Sequence, residues 1–403
     1  MTTSSFVPDS RAAWVRLGLA LVIASIGSAG MWSVVVALPA VQADFAATRG
    51  AASLAFTCAT AGLGVGGLIM GRLTDRHGIV VAIGAGALAL AAGYVGAAFS
   101  TSLAMFNVMH VAIGLGAAAT FAPLMAEASH WFERHRGLAV TIAASGNYVA
   151  GVIWPPVVAR GIETVGWRTT HLALGIGCAA VMAVLLAVLQ VQIGGEGRRS
   201  HAHAAPPRLD LAVSHNALTG VLCVAAVACC VAMAMPQVHI VAYCGDLGYG
   251  VARGAEMLSL MLFFGIASRI GSGVLADRIG GVRTLLVGSV AQGAALLLYV
   301  FFDGLSSLYV ISALFGLFQG GIVPSYAIIV REAMPASEAA TRVGIVVLAS
   351  LVGMSFGGWV SGVIFDSTGS YAAAFLNGLA WNALNVTIAV GLLLRARRRL
   401  VLA

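Results

Sequence analysis

The chain of 403 residues contains no lysine, and only 9% of its residues are charged. Soluble domains usually carry about 25% charged residues, so this chain cannot cover itself with a water-soluble surface. Its six cysteines have no CxxC spacing, which favours small buried hydrophobic side chains over a metal or redox site. The shortage of charge excludes a soluble enzyme, a disordered protein and a nucleic-acid binder, although the net charge is +7.

Long apolar runs dominate the remaining sequence, which is 60% hydrophobic with a mean hydropathy of +0.96. A helix needs about 20 apolar residues to cross a bilayer, whereas a barrel strand alternates and has about 10 residues. We therefore predict an all-α integral membrane protein with 12 transmembrane helices. Glycine, proline and arginine separate the predicted spans, which are 15–38, 51–70, 79–99, 103–128, 138–159, 169–192, 216–241, 254–275, 283–302, 306–330, 341–365 and 371–394.

Arginine is distributed unevenly between the two sides of these spans. With a cytoplasmic N-terminus, 17 arginines fall on the cytoplasmic side, and only Arg49, Arg160, Arg168 and Arg253 fall on the other. Positive residues concentrate in the cytoplasmic loops of membrane proteins. We therefore expect a multi-pass protein of the cell (inner) membrane with both termini in the cytoplasm.

An internal repeat indicates that the chain is a duplication. Gly71–Gly78 reads GRLTDRHG and Gly273–Gly280 reads GVLADRIG, at an offset of 202 residues. Gly146–Trp154 returns as Gly357–Phe365, at an offset of 211. Parallel repeats of this kind are related by an axis along the membrane normal and can rock around a central site. The sequence thus predicts two pseudo-symmetric six-helix bundles joined by a cytoplasmic linker, with the bundles at 1–192 and 215–403 and the linker at 193–214.

The repeated segment resembles the loop between helices 2 and 3 of the major facilitator superfamily, whose pattern is G-x-L-a-D-r-x-G. The resemblance implies the major facilitator fold. It also implies that the loop gates the cytoplasmic side through Asp and Arg contacts between helices. The alternative interpretation is that the loop only anchors a tight turn. The residues concerned are Gly71, Asp75, Arg76, Gly78, Gly273, Asp277 and Arg278.

A narrower resemblance covers most of the chain. Trp131–Gly146 is similar to the helix 4–5 signature of the monocarboxylate transporter family, and Asp9 and Trp14 bracket a stretch similar to the motif before its helix 1. Gly166–Arg168 looks like the bacterial branch of that family, which includes the oxalate:formate antiporters. Helix 5 reads AGVIWPP over Ala150–Pro156 and lacks the Gly-Pro-rich signature that antiport-type drug exporters usually carry. The sequence therefore resembles the monocarboxylate transporter-like branch.

Arg269 is the only basic residue deep in a predicted span, where an arginine costs about 2.5–3.5 kcal/mol on insertion scales. In monocarboxylate-type transporters an arginine at this place on helix 8 pairs with the substrate carboxylate, and the resemblance implies that role for Arg269. A guanidinium matches a carboxylate in bidentate geometry and keeps its charge. The alternative is a structural arginine that snorkels to the surface.

Two departures from the family pattern bear on the substrate and on its coupling. Gly265 stands where proton-coupled relatives often have Asp, and Ser350 stands where the oxalate exchanger type has Lys. A single fixed cation suits a monoanion better than a dianion. The missing carboxylate leaves proton coupling open.

Several other polar residues in the spans are candidates for the central cavity. Histidine titrates near neutrality, so His110 and His239 are candidates for proton coupling, although a lone histidine in an apolar helix is more often a packing residue. Hydrogen bonds between helices are the alternative for the others. The predicted substrate-binding residues besides Arg269 are His239, Asn147, Tyr148, Gln319 and Tyr326.

Prolines predict bends in three of the spans. Pro123 and Pro324 occupy similar places, 201 residues apart, and Pro155–Pro156 is expected to interrupt helix 5. Proline frees backbone carbonyls and bends a helix. These positions could flex during transport or form static kinks.

These observations predict a secondary transporter of a small organic anion, a monocarboxylate, that works by rocker-switch alternating access with proton symport or anion exchange. The expected partners are the anion, protons as a candidate co-substrate, and the lipid bilayer, with no nucleic acid, and we expect a monomer. No Walker loop, nucleophile–base pair or metal-ligand cluster is recognisable, so we expect no enzyme activity, cofactor or metal. A proton-driven drug exporter of the same superfamily is the alternative, and a transporter-like receptor is less favoured.

Overall fold

Fifteen helices form the part of the chain that the structure describes. The computed structural model describes residues 9–132, 134–193, 209 and 213–402, so most of the predicted linker lies outside the described residues. The helices are α1 (Arg11–Gly27), α2 (Ala29–Asp44), α3 (Arg49–His77), α4 (Ile79–Ala98), α5 (Leu103–Ala118), α6 (Ala122–Trp131), α7 (Arg136–Ala144), α8 (Gly146–Ile193), α9 (His215–Asp246), α10 (Val251–Ile279), α11 (Gly281–Phe301), α12 (Leu305–Gln319), α13 (Ile322–Ala333), α14 (Ala336–Thr368) and α15 (Tyr371–Leu402).

The helix lengths confirm the predicted all-α membrane architecture. Eleven helical stretches of the described residues are long and apolar enough to cross a membrane. The longest, Leu138–Gln190, has 53 residues, although one crossing needs only about 20. It contains Gly166 in a non-helical conformation (φ 81°, ψ 162°). This stretch therefore holds both predicted spans 138–159 and 169–192, and eleven stretches account for the twelve predicted crossings.

Two helix breaks follow from single prolines. A proline ring clashes with the carbonyl four residues earlier, which is Ala119 for Pro123 and Gly320 for Pro324. Helix α5 ends directly before Ala119, and α12 ends directly before Gly320, so the bends predicted at these two prolines are confirmed. The predicted interruption at Pro155–Pro156 is wrong, because α8 runs through both residues. Proline is tolerated inside membrane helices where neighbours support the backbone, and α8 packs against α1, α2 and α4.

The last glycine of each repeated segment has the same backbone conformation. Gly78 (φ 85°, ψ 164°) precedes α4, and Gly280 (φ 83°, ψ 162°) precedes α11. Residues with a side chain rarely adopt this positive φ, whereas glycine does so without a steric cost. Both repeats therefore turn from one helix into the next in the same way.

The helices pack into two compact units. As far as these ranges are described, the first unit comprises Met1–Ala47 and Leu54–Ala202, and the second comprises Thr48–Ser53 and His203–Ala403. In the first unit α4 packs against α5 and α8, and in the second unit α9 packs against α14 and α15. The first residues of α3 thus group with the second unit, while the rest of α3 belongs to the first.

Candidate functional site

Arg269 lies on a face of α10 that is distinct from its exposed apolar face. The most exposed apolar residues of this region, Phe263, Ile270 and Val274, are all more than half exposed and share one side of the helix. Arg269 is half-buried. At 3.6 residues per turn it lies about 120° from the centre of that side and two turns after the fully buried Leu262. The Arg269 side chain therefore leaves α10 on a different side from these exposed apolar residues.

The part of α10 next to Arg269 packs closely against Gly320 and Gly321, which join α12 to α13. A Cβ on Gly320 would lie 2.4 Å from the carbonyl oxygen of Gly265, so the two backbones touch. The backbone N–H of Gly321 donates a 3.1 Å hydrogen bond to Ser268 Oγ. Gly265, the position that lacks the aspartate of proton-coupled relatives, thus serves this close contact.

Gln319, at the end of α12, is completely buried in the second unit. Its Oε1 accepts a 2.9 Å hydrogen bond from Nε2 of Gln237 on α9, which is also buried. The Nε2 group of Gln319 has no hydrogen-bond partner among the described residues. Gln319 therefore keeps a buried donor that could serve an anion, and sequence reasoning missed its partner Gln237.

His239, on the same helix as Gln237, is also buried. Its Nε2 lies 2.7 Å from the carbonyl oxygen of Gly358 on α14 and must carry the proton that forms this hydrogen bond. Nδ1 is then an acceptor, and it has no partner among the described residues. His239 thus combines a packing role between α9 and α14 with one unused proton-accepting atom.

Tyr326 takes part in a buried hydrogen-bond network of the second unit. Its hydroxyl donates to Asn385 Oδ1 at 2.9 Å and lies 3.0 Å from the carbonyl oxygen of Ala225. Asn385 Nδ2 donates to Ser289 Oγ at 2.8 Å. Tyr326 is 1% exposed. Its hydroxyl is therefore engaged with two neighbouring helices, α9 and α15, as the packing interpretation of this residue expects.

Asn147 and Tyr148 open α8 in the first unit. The indole N–H of Trp32 on α2 lies 2.9 Å from the carbonyl oxygen of Asn147 and 3.2 Å from its Oδ1. Asn147 is half-buried and Tyr148 is buried. The contact fixes Trp32 against the start of α8 and leaves the side-chain amide N–H group of Asn147 for another acceptor.

His110 belongs to a buried aromatic cluster that the sequence did not reveal. Its Nδ1 donates to the carbonyl oxygen of Phe106 (2.8 Å), and His171 Nδ1 donates to that of Trp167 (2.9 Å). The two imidazole centroids are 6.1 Å apart, and both side chains are fully buried. Neither Nε2 atom has a partner among the described residues. No carboxylate contacts this pair in the described residues, and the contacts of His110 there are packing contacts beside His171.

The charged residues of the repeated segments make no contacts between helices in this structure. Among the described residues, Asp75, Arg76, Asp277 and Arg278 are exposed and have no side-chain hydrogen bond or ion pair. Gly71 and Gly273 are half-buried, and a Cβ at either position would meet nothing within 4 Å. The gating role of these segments stays a prediction.

The two motifs of the first unit that resemble monocarboxylate transporters contact each other. The carboxylate of Asp9 accepts hydrogen bonds from the backbone N–H groups of Arg134 (2.9 Å) and His135 (3.1 Å). Trp14 packs edge-on against Phe132, with ring centroids 4.9 Å apart. Asp9 thus ties the segment before α1 to the loop between α6 and α7, directly before α7 begins.

Comparisons with known proteins agree with this geometry. The model of the Major Facilitator Superfamily matches residues 20–307 and 246–401. Monocarboxylate transporter 13 of Bos taurus is 26% identical over 320 residues, which are 75% of this chain and 71% of that protein. The agnestins efflux protein AgnL12 of Paecilomyces divaricatus is 26% identical over 303 residues, 72% of this chain and 67% of that protein.

A solved structure supports the same fold. The crystal structure of a bacterial homologue of the human lysosomal transporter Spinster superposes with a TM-score of 0.73 at 15% identity, covering 95% of this chain and 96% of that one. These relatives are transporters, not enzymes. The chain belongs to the Major Facilitator Superfamily, and its sequence is similar to that of a monocarboxylate transporter.

Proposed function

We propose that this chain is a secondary transporter of a small organic anion, a monocarboxylate, and that it works by alternating access. The observation that carries the proposal is Arg269, a half-buried arginine on a side of α10 away from its most exposed apolar residues. A guanidinium binds a carboxylate through two charge-assisted hydrogen bonds. The similarity to a monocarboxylate transporter supports the same substrate class.

Polar groups within each unit are further candidates for contacts with such a substrate. Gln319 Nε2 in the second unit is a buried donor without a partner among the described residues, and it is proposed to bind an oxygen atom of the substrate. In the first unit, Asn147 offers a half-buried amide beside Trp32, and Tyr148 follows it, so both stay candidate binding residues of that unit. The engaged hydroxyl of Tyr326 favours packing.

The experiment is counterflow of labelled lactate and pyruvate into proteoliposomes that contain the purified chain. Charge-assisted hydrogen bonds contribute about 1.5–3 kcal/mol, so Arg269→Ala should raise the KM about 10- to 150-fold. Arg253→Ala, at the exposed beginning of the same helix, is the matched control and should leave the KM unchanged. Normal carboxylate affinity in Arg269→Ala would refute the site, and the absence of carboxylate flux in the unaltered chain would refute the substrate class.

The driving force is proton symport or anion exchange, and His110 and His239 are the candidate proton carriers. His239 has the better geometry, because its Nδ1 is unused and its Nε2 contacts the backbone of another helix. A pH-sensitive dye trapped in the vesicles separates the two modes. Symport acidifies the lumen during lactate entry, whereas exchange of one monoanion for another does not.

The similarity to AgnL12 supports a second candidate, a proton-driven exporter of amphipathic compounds. This candidate predicts that vesicles show no lactate counterflow but expel a fluorescent amphipathic dye when a proton gradient is applied.

A further inference from the structure

A cavity at one end of the second unit is lined mainly by aromatic and acidic side chains. It has a volume of about 400 Å³, and small-molecule sites have volumes of about 300–1,000 Å³. Two of its twelve lining residues are aspartates, and five are aromatic, which are Tyr243, Tyr299, Phe301, Phe365 and Tyr371. All of them belong to the second unit. We call this the aromatic–acidic cavity.

The aromatic–acidic cavity lies apart from the proposed anion site. It is formed where α9 and α11 end and α15 begins, at Asp246, Phe301 and Tyr371. This is also the end at which α10 begins, and Arg269 lies 18 residues after Val251, about 27 Å along the helix axis. The repeated segment 273–280 lies at the other end of α10, so the arginine distribution predicts that the cavity faces the non-cytoplasmic side.

Only one of the two aspartates in the cavity has a cationic partner among the described residues. Oδ2 of Asp246 lies 3.0 Å from Nη2 of Arg49 and accepts a 2.9 Å hydrogen bond from the hydroxyl of Tyr371. Arg49 is 5% exposed and packs with the second unit. The exposed carboxylate of Asp303 has no side-chain hydrogen bond or ion pair within the described ranges. Asp303 therefore gives the cavity one uncompensated negative charge.

Tyr243 brings an unused hydroxyl to the same cavity. The residue is 8% exposed, and its ring packs 4.7 Å from that of Tyr371 and 5.7 Å from that of Phe375. Buried tyrosine hydroxyls usually find a hydrogen-bond partner, but this one has none in the part of the chain that the structure describes. The carboxylate of Asp303 is close enough to interact electrostatically with it. A ligand in the cavity would thus meet a free hydroxyl beside a free carboxylate.

This lining suits an organic ammonium group better than a metal ion. Calcium takes about six to eight oxygen ligands, and magnesium needs an octahedral set, whereas Asp303 is the one carboxylate here without a cationic partner among the described residues. Aromatic faces attract cations, and aromatic cages recognise quaternary ammonium ligands. A ring of this cavity already binds a cation in this way, because the guanidinium carbon of Arg49 lies 4.9 Å from the ring centre of Phe365.

We propose that the aromatic–acidic cavity is a binding site for a small organic cation that carries a methylated ammonium group and a hydroxyl. Asp303 neutralises the positive charge, the aromatic rings contact the methyl groups, and the hydroxyl of Tyr243 forms a hydrogen bond with that of the ligand. The site does not depend on the proposed transport function, since the anion that Arg269 would bind is repelled by the carboxylate of Asp303.

Equilibrium binding of radiolabelled choline to the purified full chain tests the proposal. An uncharged detergent keeps the chain in solution, so that no anionic lipid binds the probe. We expect saturable binding of one choline per chain and its displacement by tetramethylammonium. The matched ligand control is 3,3-dimethyl-1-butanol, which has the shape of choline without the charge. It should compete at least about tenfold more weakly, because it lacks the attraction to the aromatic rings and to Asp303.

Two variants test the residues of the site. Asp303→Asn should raise the Kd for choline about two- to fivefold, which corresponds to the loss of an exposed ion pair. Tyr243→Leu should raise it about 3- to 30-fold, because it removes both a ring and the free hydroxyl. Glu256→Gln and Tyr309→Leu are the matched controls, since both residues lie outside the cavity and contact each other. Each control should change the Kd less than about twofold.

Three results would overturn the site. They are the absence of saturable choline binding, equal competition by the neutral analogue, and an unchanged Kd in both Asp303→Asn and Tyr243→Leu. If Tyr243→Leu does not fold, Phe301→Leu replaces it, because Phe301 is 69% exposed, and its Kd should rise about two- to fivefold. Absence of lactate counterflow would refute the proposed substrate and leave the choline result unaffected.

Discussion

Removing one charge of the Arg16–Glu127 ion pair is expected to destabilise the first unit more than removing both. Arg16 on α1 is 4% exposed, and its Nη2 donates to Oε1 of Glu127 on α6. The indole N–H of Trp131 donates to the same oxygen at 3.0 Å, and the Arg16 guanidinium lies 3.8 Å from the Trp131 ring centre. Its Nε and Nη1 groups are buried without a hydrogen-bond partner among the described residues. The carboxylate is therefore the main compensation for this charge.

The expected magnitude follows from the burial of the two groups. Deleting one partner of a buried ion pair costs about 3–5 kcal/mol, because the other charge is left uncompensated. The side chain of Glu127 is 23% exposed, so water can partly compensate and the lower end applies. A loss of about 3 kcal/mol corresponds to about 6–12 °C in Tm for a unit of 150–250 residues. Glu127→Leu and Arg16→Met should each produce a loss of this size.

The double variant Arg16→Met/Glu127→Leu removes both charges and fills the same space with apolar atoms. Replacement of a whole buried pair is often neutral or stabilising, so its Tm should lie within about 3 °C of the unaltered chain. Thermal unfolding of the purified protein, followed by tryptophan fluorescence, measures all four corners of this double-mutant cycle. The exposed pair of Arg253 and Glu256 is the control, and Arg253→Gln should cost at most about 1 kcal/mol. A double variant whose Tm falls by the sum of the single losses would refute the reasoning.

Two further variants test packing. Gly114→Ala would place a Cβ 1.9 Å from the carbonyl oxygen of Ala59, so α5 and α3 must separate. We expect this variant to lower the free energy of unfolding by at least about 2 kcal/mol. Gly18→Ala is the control, because a Cβ there meets nothing within 4 Å, and the same unfolding assay should find it neutral or slightly stabilising. Tyr326→Phe leaves the buried Asn385 Oδ1 without its donor and should lower the free energy of unfolding by about 1–3 kcal/mol. The KM for lactate should stay unchanged, because the hydroxyl belongs to a packing network. A raised KM at unchanged stability would instead place Tyr326 in the substrate site.

The fold was predictable because membrane constraints act on composition and periodicity. A span needs a long apolar run whatever its neighbours are, so the segments could be read without tertiary information. The proline breaks near Ala119 and Gly320 were also local, because the clash lies within one helix. The Pro155–Pro156 expectation failed, since support from neighbouring helices is a tertiary property.

The site was less predictable, because the role of a polar residue depends on its partner. Arg269 could be found from the cost of a charge in an apolar span. The sequence could not show that Gln319 pairs with Gln237, 82 positions away, or that His110 lies beside His171. In the sequence, Arg49 was noted only as one of the four arginines on the predicted non-cytoplasmic side of the membrane. Its burial depends on contacts with α9, α14 and α15, and no sequence pattern around Arg49 predicts these contacts.

The duplication accounts for the single guanidinium, that of Arg269, in the proposed site. The repeat offset of 202 residues places Arg269 opposite Gly67 of α3. The preceding positions, Gly66 and Ser268, are equivalent at the same offset, and both lie at a close helix contact. A Cβ on Gly66 would lie 2.7 Å from a side chain of α5, and a Cβ on Gly320, directly after α12, would lie 2.9 Å from Ser268. Both repeats thus keep the close helix contact, but only the second adds a guanidinium. A dicarboxylate would bring a second negative charge, and Gly67 offers no cation to neutralise it. An uncompensated buried charge costs several kcal/mol. Preference for a monocarboxylate is therefore expected from the difference between Gly67 and Arg269 alone.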